Sequence, residues 1–226
     1  MAVAGEQPAW EQARLIPVSG IRGADEQERR ATSALLAVLA SVKEFAKSTL
    51  GPLGAPTSGQ IDTFIEVPFK IDGRTVQPDG LIRARRGSLV WSALVEVMTG
   101  NKPLKREQLE SYLDVARQER FDCLLTISNE MATAAGVHPT EVDRRRLRAV
   151  VLRHLSWTQV LSEAMVQKEH RWVSDPEQAW ILGELIRYLE HPQSGALEFS
   201  DMGEAWVTIR EAATAGTLRR NDDGIA

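Results

Sequence analysis

The stretch LVEVMTGNKPLKREQLESYLDVA, residues 94–116, decides how the chain is read. Its first part is apolar and β-branched apart from one acid, Glu96, between Val95 and Val97. Strand side chains alternate between faces, so Glu96 and Met98 share one face and Val95 and Val97 the other. A carboxylate in a strand that is apolar on both faces needs a partner, because burying it unpaired is costly. After TGNKP, Leu104, Leu109, Tyr112, Leu113 and Ala116 recur near one face, which predicts an amphipathic helix over residues 102–118.

Upstream, QPDGLIRARRGSLVWSALVEVM reads as a hairpin. With Gly87 and Ser88 as the two central turn residues, Asp79 falls opposite Glu96, with Cβ atoms roughly 4.5–5.5 Å apart. Another loop length would shift that register. Like charges placed opposite one another destabilise a sheet, and a bound cation is one remedy. Mg²⁺ commonly uses one or two protein carboxylates and leaves room for water and substrate phosphate. The carbonyl of Val97 is a third candidate oxygen ligand, and Pro78 and Gly80 bracket Asp79 in a way that suits a local kink. The competing reading makes Asp79 a turn residue and Glu96 an edge or solvent-facing residue.

Further out, residues 24–50 carry Leu35, Leu36, Leu39, Val42, Phe45 and Ala46 at helical spacing, and GPLGAP stops the helix. DTFIEVPFKI and RTVQPDGLIRA are strand-like, with an Asp72-Gly73 turn signal between them. FDCLLTIS reads as a buried strand, and RRRLRAVVLRHLSW as a basic turn, a strand and the start of a helix. Asp175, Pro176 and Gln178 mark the start of a helix that ends by Pro192. Helix, three strands, helix, strand predicts an α/β layer architecture.

The chain has 226 residues with 43% hydrophobic and 26% charged content, those of one globular domain with an appendage at most. A net charge of −4 gives no global attraction to nucleic acid, so phosphate contacts would have to be local. No apolar run approaches a membrane span of roughly 20 residues, and the N-terminus lacks the marks of a signal peptide. One cysteine, Cys123, rules out an internal disulfide framework and a cysteine-rich zinc site, and points to a cytoplasmic protein. His138, His154, His170 and His191 show no metal-ligand spacing and read as structural or surface groups.

Pro78-Asp79 followed by Glu96-Val97-Met98 resembles the PD-(D/E)xK nuclease superfamily, with its last motif position changed. Gln108 and Tyr112, in QLESY, look like the Q-x-x-x-Y motif of the recombination-exonuclease branch. The whole chain also looks like a group of actinobacterial proteins of that superfamily, some labelled only as stress-response proteins. The resemblance implies a restriction-endonuclease-like core, α-β-β-β-α-β, a central mixed sheet flanked by helices, with extra C-terminal helices. It implies a nuclease-like domain over residues 24–170, after an N-terminal arm at 1–23. A C-terminal helical extension at 171–216 and a disordered tail at 217–226 would follow. It further implies hydrolysis of DNA phosphodiesters, with Mg²⁺ or Mn²⁺ on Asp79 and Glu96 and an additional acidic ligand at Glu28. Gln108 and Tyr112 would orient substrate or a ligand; otherwise they are ordinary helix residues.

Two features stay open on the sequence. The superfamily usually has lysine where this chain has Met98, and a thioether cannot stabilise an attacking hydroxide. Lys102 could reach back from the turn; the chain could be a degenerate nuclease; or Met98 could be an engineered or variant loss in an active enzyme. The rival function is an inactive nuclease-fold module for nucleic-acid binding or assembly in a stress or phage-defence pathway. Basic residues flank the proposed site at Arg83, Arg85 and Arg86 and at Lys102, Lys105 and Arg106, and cluster again at residues 144–148. The first two groups could hold phosphates, although a solvated charged surface explains them equally well. AWILGELIRYL could cover the sheet or form a homodimer contact.

Overall fold

The computed structural model describes residues 13–132 and 136–197. The expected tail at 217–226, and the end of the C-terminal extension from 198, lie outside them. Helices α1 (Ala24–Ser41) and α2 (Lys43–Leu50) come first, then strand β1 (Gln60–Ile65) and a small hairpin, β2 (Phe69–Ile71) and β3 (Arg74–Val76). Strands β4 (Gly80–Arg86) and β5 (Leu89–Val97), helix α3 (Arg106–Glu119), and strands β6 (Cys123–Ser128) and β7 (Val151–Ser156) follow. Helices α4 (Trp157–Val166) and α5 (Pro176–Leu189) complete the described chain. The central sheet has five strands in the order β1-β4-β5-β6-β7. Its first three strands are antiparallel, and β5-β6 and β6-β7 are parallel, so the fold is mixed α/β with helices on both faces.

Alternation along β5 divides the core. Trp91, Ala93, Val95 and Val97 pack with α1, α2, α4 and α5 on one face, whereas Leu94 and Met98 pack with α3 and the small hairpin on the other. The β4-β5 register runs from Gly80↔Val95 to Arg86↔Leu89, with Gly87 and Ser88 at the turn. Asp79 and Glu96 are the next pair beyond the end of that ladder. Gly80 is needed for close approach: a Cβ there would lie 2.5 Å from Leu36 Cδ1 of α1.

Three expectations are corrected. The helix expected over 24–50 breaks at Val42, which takes extended angles (φ −106, ψ 97) and is fully buried. Ser41 Oγ bonds back to the Ala37 carbonyl, a contact that bends helices, and the Gln178 side chain from α5 receives the freed Lys43 N–H. The break turns Phe45, Ala46 and Leu50 into the core. DTFIEVPFKI and RTVQPDGLIRA are each split in two, because Asp72 and Gly73 (φ 47 and 74) close a separate two-stranded hairpin outside the central sheet. Helix α3 starts at Arg106 and not at 102, since the chain stays extended through Lys105 (φ −90, ψ 124). The C-terminal helix begins as expected, with the Asp175 carboxylate accepting from the N–H groups of Glu177 and Gln178. Among the described residues no helix is long and apolar enough to cross a membrane.

Candidate functional site

The end of β5 carries Glu96 on the α3 face, where it is 1% exposed. Gln108 Nε2, one turn into α3, donates to Glu96 Oε1 at 2.6 Å and lies 3.0 Å from the Tyr112 hydroxyl. That hydroxyl also reaches the Gln77 carbonyl at 3.3 Å, just before Asp79. The helical i, i+4 spacing of Gln108 and Tyr112 puts both side chains over the same carboxylate. On the other side, the Val97 N–H donates to Asp79 Oδ2 at 2.7 Å. Asp79 and Glu96 stand close enough that each carboxyl acts on the protonation of the other.

Both carboxyls are pushed above their ordinary ranges, Glu96 further than Asp79. Burial is the first cause for each. For Glu96 the charge of Asp79 comes next, and for Asp79 the Val97 N–H pulls the other way. Burial and then the Glu96 charge raise the Tyr112 phenol, which keeps it a neutral hydroxyl. Glu96 Oε2 is buried with no hydrogen-bond partner. An orphaned carboxylate oxygen beside a second carboxyl is the arrangement a hard divalent cation completes, so the residues present fit Mg²⁺ or Mn²⁺. Among the described residues no three His, Cys, Asp or Glu groups converge tightly enough for an all-protein metal cage.

Glu28, on α1, lines a cavity of about 210 Å³ together with Asp25, Arg29, Glu66 and Asp79. It acts on the carboxyl pair through charge, raising both, and not by contact. Lys102 does not point at the pair. Its Nζ lies 3.0 Å from Glu28 Oε1 and 3.0 Å from Asp25 Oδ1. Glu28 first, then Asp25, hold its ammonium above the usual range. Met98 is 8% exposed among the apolar side chains under α3, and its carbonyl accepts from Trp157 Nε1 at 2.8 Å. At Val97 the group seen to act on the pair is the amide, through Asp79.

The basic residues divide. Lys105 and Arg106 sit at the start of α3, one turn or less before Gln108, with Arg106 Nε on Glu110 at 2.8 Å. Arg83 and Arg85 were expected to flank the carboxylates and do not. They lie four and six residues along β4 from Asp79, roughly 13 and 20 Å away. There they line a different cavity with Glu119, Arg120 and Asp122, and Arg85 is paired with Asp62.

Sequence reasoning missed two groups. Glu66 interrupts the apolar IEVPF as Glu96 interrupts ALVEV, and the same signal could have found it. It has φ 52, its N–H donates to the Asp79 carbonyl at 2.9 Å, and its carboxylate holds Arg29 at 2.5 Å. The second group continues the polar row across the sheet, because Glu96 pairs with Thr126 and Thr126 with His154. Thr126 Oγ1 lies 2.8 Å from His138 Nε2 and 2.9 Å from His154 Nδ1. His154 Nε2 faces the Glu130 carbonyl at 2.8 Å and therefore carries the proton, so the Thr126 hydroxyl donates to Nδ1. Burial pushes both imidazoles down, His138 to about 4. These histidines are neutral structural groups that fasten the chain after β6 to the sheet, in agreement with the reading made from their spacing.

Fold and site together define a mixed α/β protein with a carboxyl pair, buried Glu96 and half-buried Asp79, at one end of its central sheet. No protein-family model matches the chain, and no curated protein matches it. Among solved structures it is similar to a protein of unknown function, AF1548, at 11% identity and a TM-score of 0.30, over 68% of this chain and 99% of that one.

Proposed function

We propose that the chain is a nuclease-fold protein that hydrolyses DNA phosphodiester bonds with Mg²⁺ or Mn²⁺ held by Asp79 and Glu96. One observation carries the reading: a Glu96 oxygen is sealed in the sheet without a hydrogen-bond partner, opposite the carboxyl of Asp79. A scaffold has no reason to keep so costly a pair. The order of elements supports the reading, since a helix, antiparallel strands, a helix and a parallel strand surround the pair. So does the placement of Gln108 and Tyr112 on Glu96. A divalent ion on the pair would supply charge neutralisation at the phosphate and an acidified water. The protein's own part is orientation. Gln108 fixes one Glu96 oxygen, the Val97 N–H fixes one Asp79 oxygen, and Tyr112 ties α3 to the segment before Asp79. Lys105 and Arg106 offer cations to the phosphate backbone at the mouth.

Met98 favours a second reading, an inactive nuclease-fold module that binds nucleic acid or assembles with partners. The position that carries lysine in the resembled superfamily holds a buried thioether here, and Lys102 is engaged by Asp25 and Glu28. The test incubates linear and circular DNA with Mg²⁺ or Mn²⁺ and the parent chain, Met98→Lys and Asp79→Ala. Cleavage by the parent or by Met98→Lys that is lost with Asp79→Ala supports the nuclease. Folded parent and Met98→Lys proteins that cut neither DNA nor RNA support the binding module. Cleavage by the parent that survives Asp79→Ala rejects the site.

A further inference from the structure

The acids around the cavity are not equivalent. Glu66 has Arg29, and Asp25 and Glu28 have Lys102, whereas among the described residues no salt bridge reaches Asp79 or Glu96. Glu28 is the one peripheral acid that lines the cavity with Asp79 and also acts through charge on both members of the pair. Its side chain is 13% exposed, and Lys102 reaches it from the turn after β5. That turn is held firmly. Thr99 Oγ1 donates to Gln27 Oε1 on α1 at 3.0 Å, the Gly100 N–H donates to the Gly195 carbonyl at 2.9 Å, and Asn129 Nδ2 donates to the Gly100 carbonyl at 2.9 Å. The backbone that carries Lys102 is therefore held in place, and its ammonium lies against Glu28 at 3.0 Å. Glu28 Oε1 and Glu96 Oε2 are both buried without a hydrogen-bond partner, and of the two it is Glu28 Oε1 that has an ammonium beside it, Lys102 Nζ at 3.0 Å.

We infer that Lys102 stands in the place of a second cation, so that the site takes a single divalent ion, on Asp79 and Glu96, while the charge of Glu28 is balanced by its ion pair with Lys102. This rests on the metal-dependent reading above and adds to it the number of ions and the residue that sets it. A resident ammonium repels a further dication at Glu28. It also supplies positive charge at the rim without a metal. Lys102 is thus a positioning residue for charge, and Glu28 becomes a ligand only when that lysine is removed.

The experiment counts Mn²⁺ bound per full-length chain at pH 7.5, by titration calorimetry and by the electron paramagnetic resonance signal of free ion. The expected count is one for the parent and for Lys102→Arg, and two for Lys102→Ala. It returns to one for Lys102→Ala combined with Glu28→Gln. Circular dichroism melting checks that each variant is folded; Lys102 is 43% exposed at its side chain, so truncation leaves the core intact. Two ions on the parent, or one ion on folded Lys102→Ala, overturns the inference and leaves the metal reading standing. No ion on any folded variant overturns both. An unchanged count of one in the parent when Asp79→Asn and Glu96→Gln are introduced together would move the ion elsewhere and also overturn it.

Discussion

The raised Glu96 carboxyl makes a quantitative prediction for the metal-free protein. In the unfolded chain this group ionises near 4.5, whereas in the fold burial and the neighbouring Asp79 hold its proton on to higher pH. The folded state therefore binds the extra proton above about 4.5, and stability falls as pH rises through that window. One proton corresponds to about 1.4 kcal/mol per pH unit. Between pH 5 and 8 the loss approaches about 4 kcal/mol, a large part of the 5–15 kcal/mol typical of a domain. At 1% exposure, solvent does little to screen it. Glu96→Gln keeps an oxygen for Gln108 Nε2 and cannot ionise. Urea unfolding in chelator at pH 5, 6, 7 and 8 should show the parent losing stability steeply and Glu96→Gln far less. Parallel pH profiles for the two proteins would refute the claim that Glu96 is buried and protonated in the fold. Adding Mg²⁺ at 100 times its dissociation constant should restore about 2.7 kcal/mol to the parent and nothing to Glu96→Gln.

Gln108→Ala leaves the second Glu96 oxygen without its donor, and urea unfolding in chelator should show a loss of about 1–3 kcal/mol, similar at pH 5 and pH 8 because folded Glu96 keeps its proton across that range. Gly80→Ala drives a Cβ against Leu36 and displaces Asp79; a loss of about 1–3 kcal/mol in thermal or urea unfolding is expected, together with weaker Mn²⁺ binding. His138 and His154 work in the opposite pH sense. Below about 6.5 the unfolded chain takes up protons that the folded imidazoles refuse, so stability falls as pH drops from about 6.5 toward 4. His154→Gln should reduce that acid sensitivity in urea unfolding at pH 5.

The hairpin was legible because its register follows from one turn and a period of two. RGS placed the turn, and every observed pair from Gly80↔Val95 to Arg86↔Leu89 keeps the spacing that sets Asp79 opposite Glu96. Gln108 and Tyr112 were legible because i, i+4 on a helix is also a fixed geometry. What the sequence hid depends on contacts distant along the chain. Nothing local announces that Gln178 would receive the Lys43 N–H and allow the break at Val42, or that Thr126 would draw together residues 138 and 154. Arg83 and Arg85 were misplaced for a simpler reason. They were judged by nearness in sequence to Asp79, whereas a strand carries its residues away at about 3.4 Å each. Lys102 looked like a substitute for the missing motif lysine, and only the position of α1 shows that Asp25 and Glu28 engage it first.

The central claim is that the carboxyls of Asp79 and Glu96 jointly hold one divalent cation. Crystals grown without metal and soaked in Mn²⁺ would locate it by anomalous scattering. The account predicts a peak within about 2.0–2.6 Å of an oxygen from each carboxylate. A peak bonded to neither group, or the two side chains turned away from each other in well-ordered density, would contradict it.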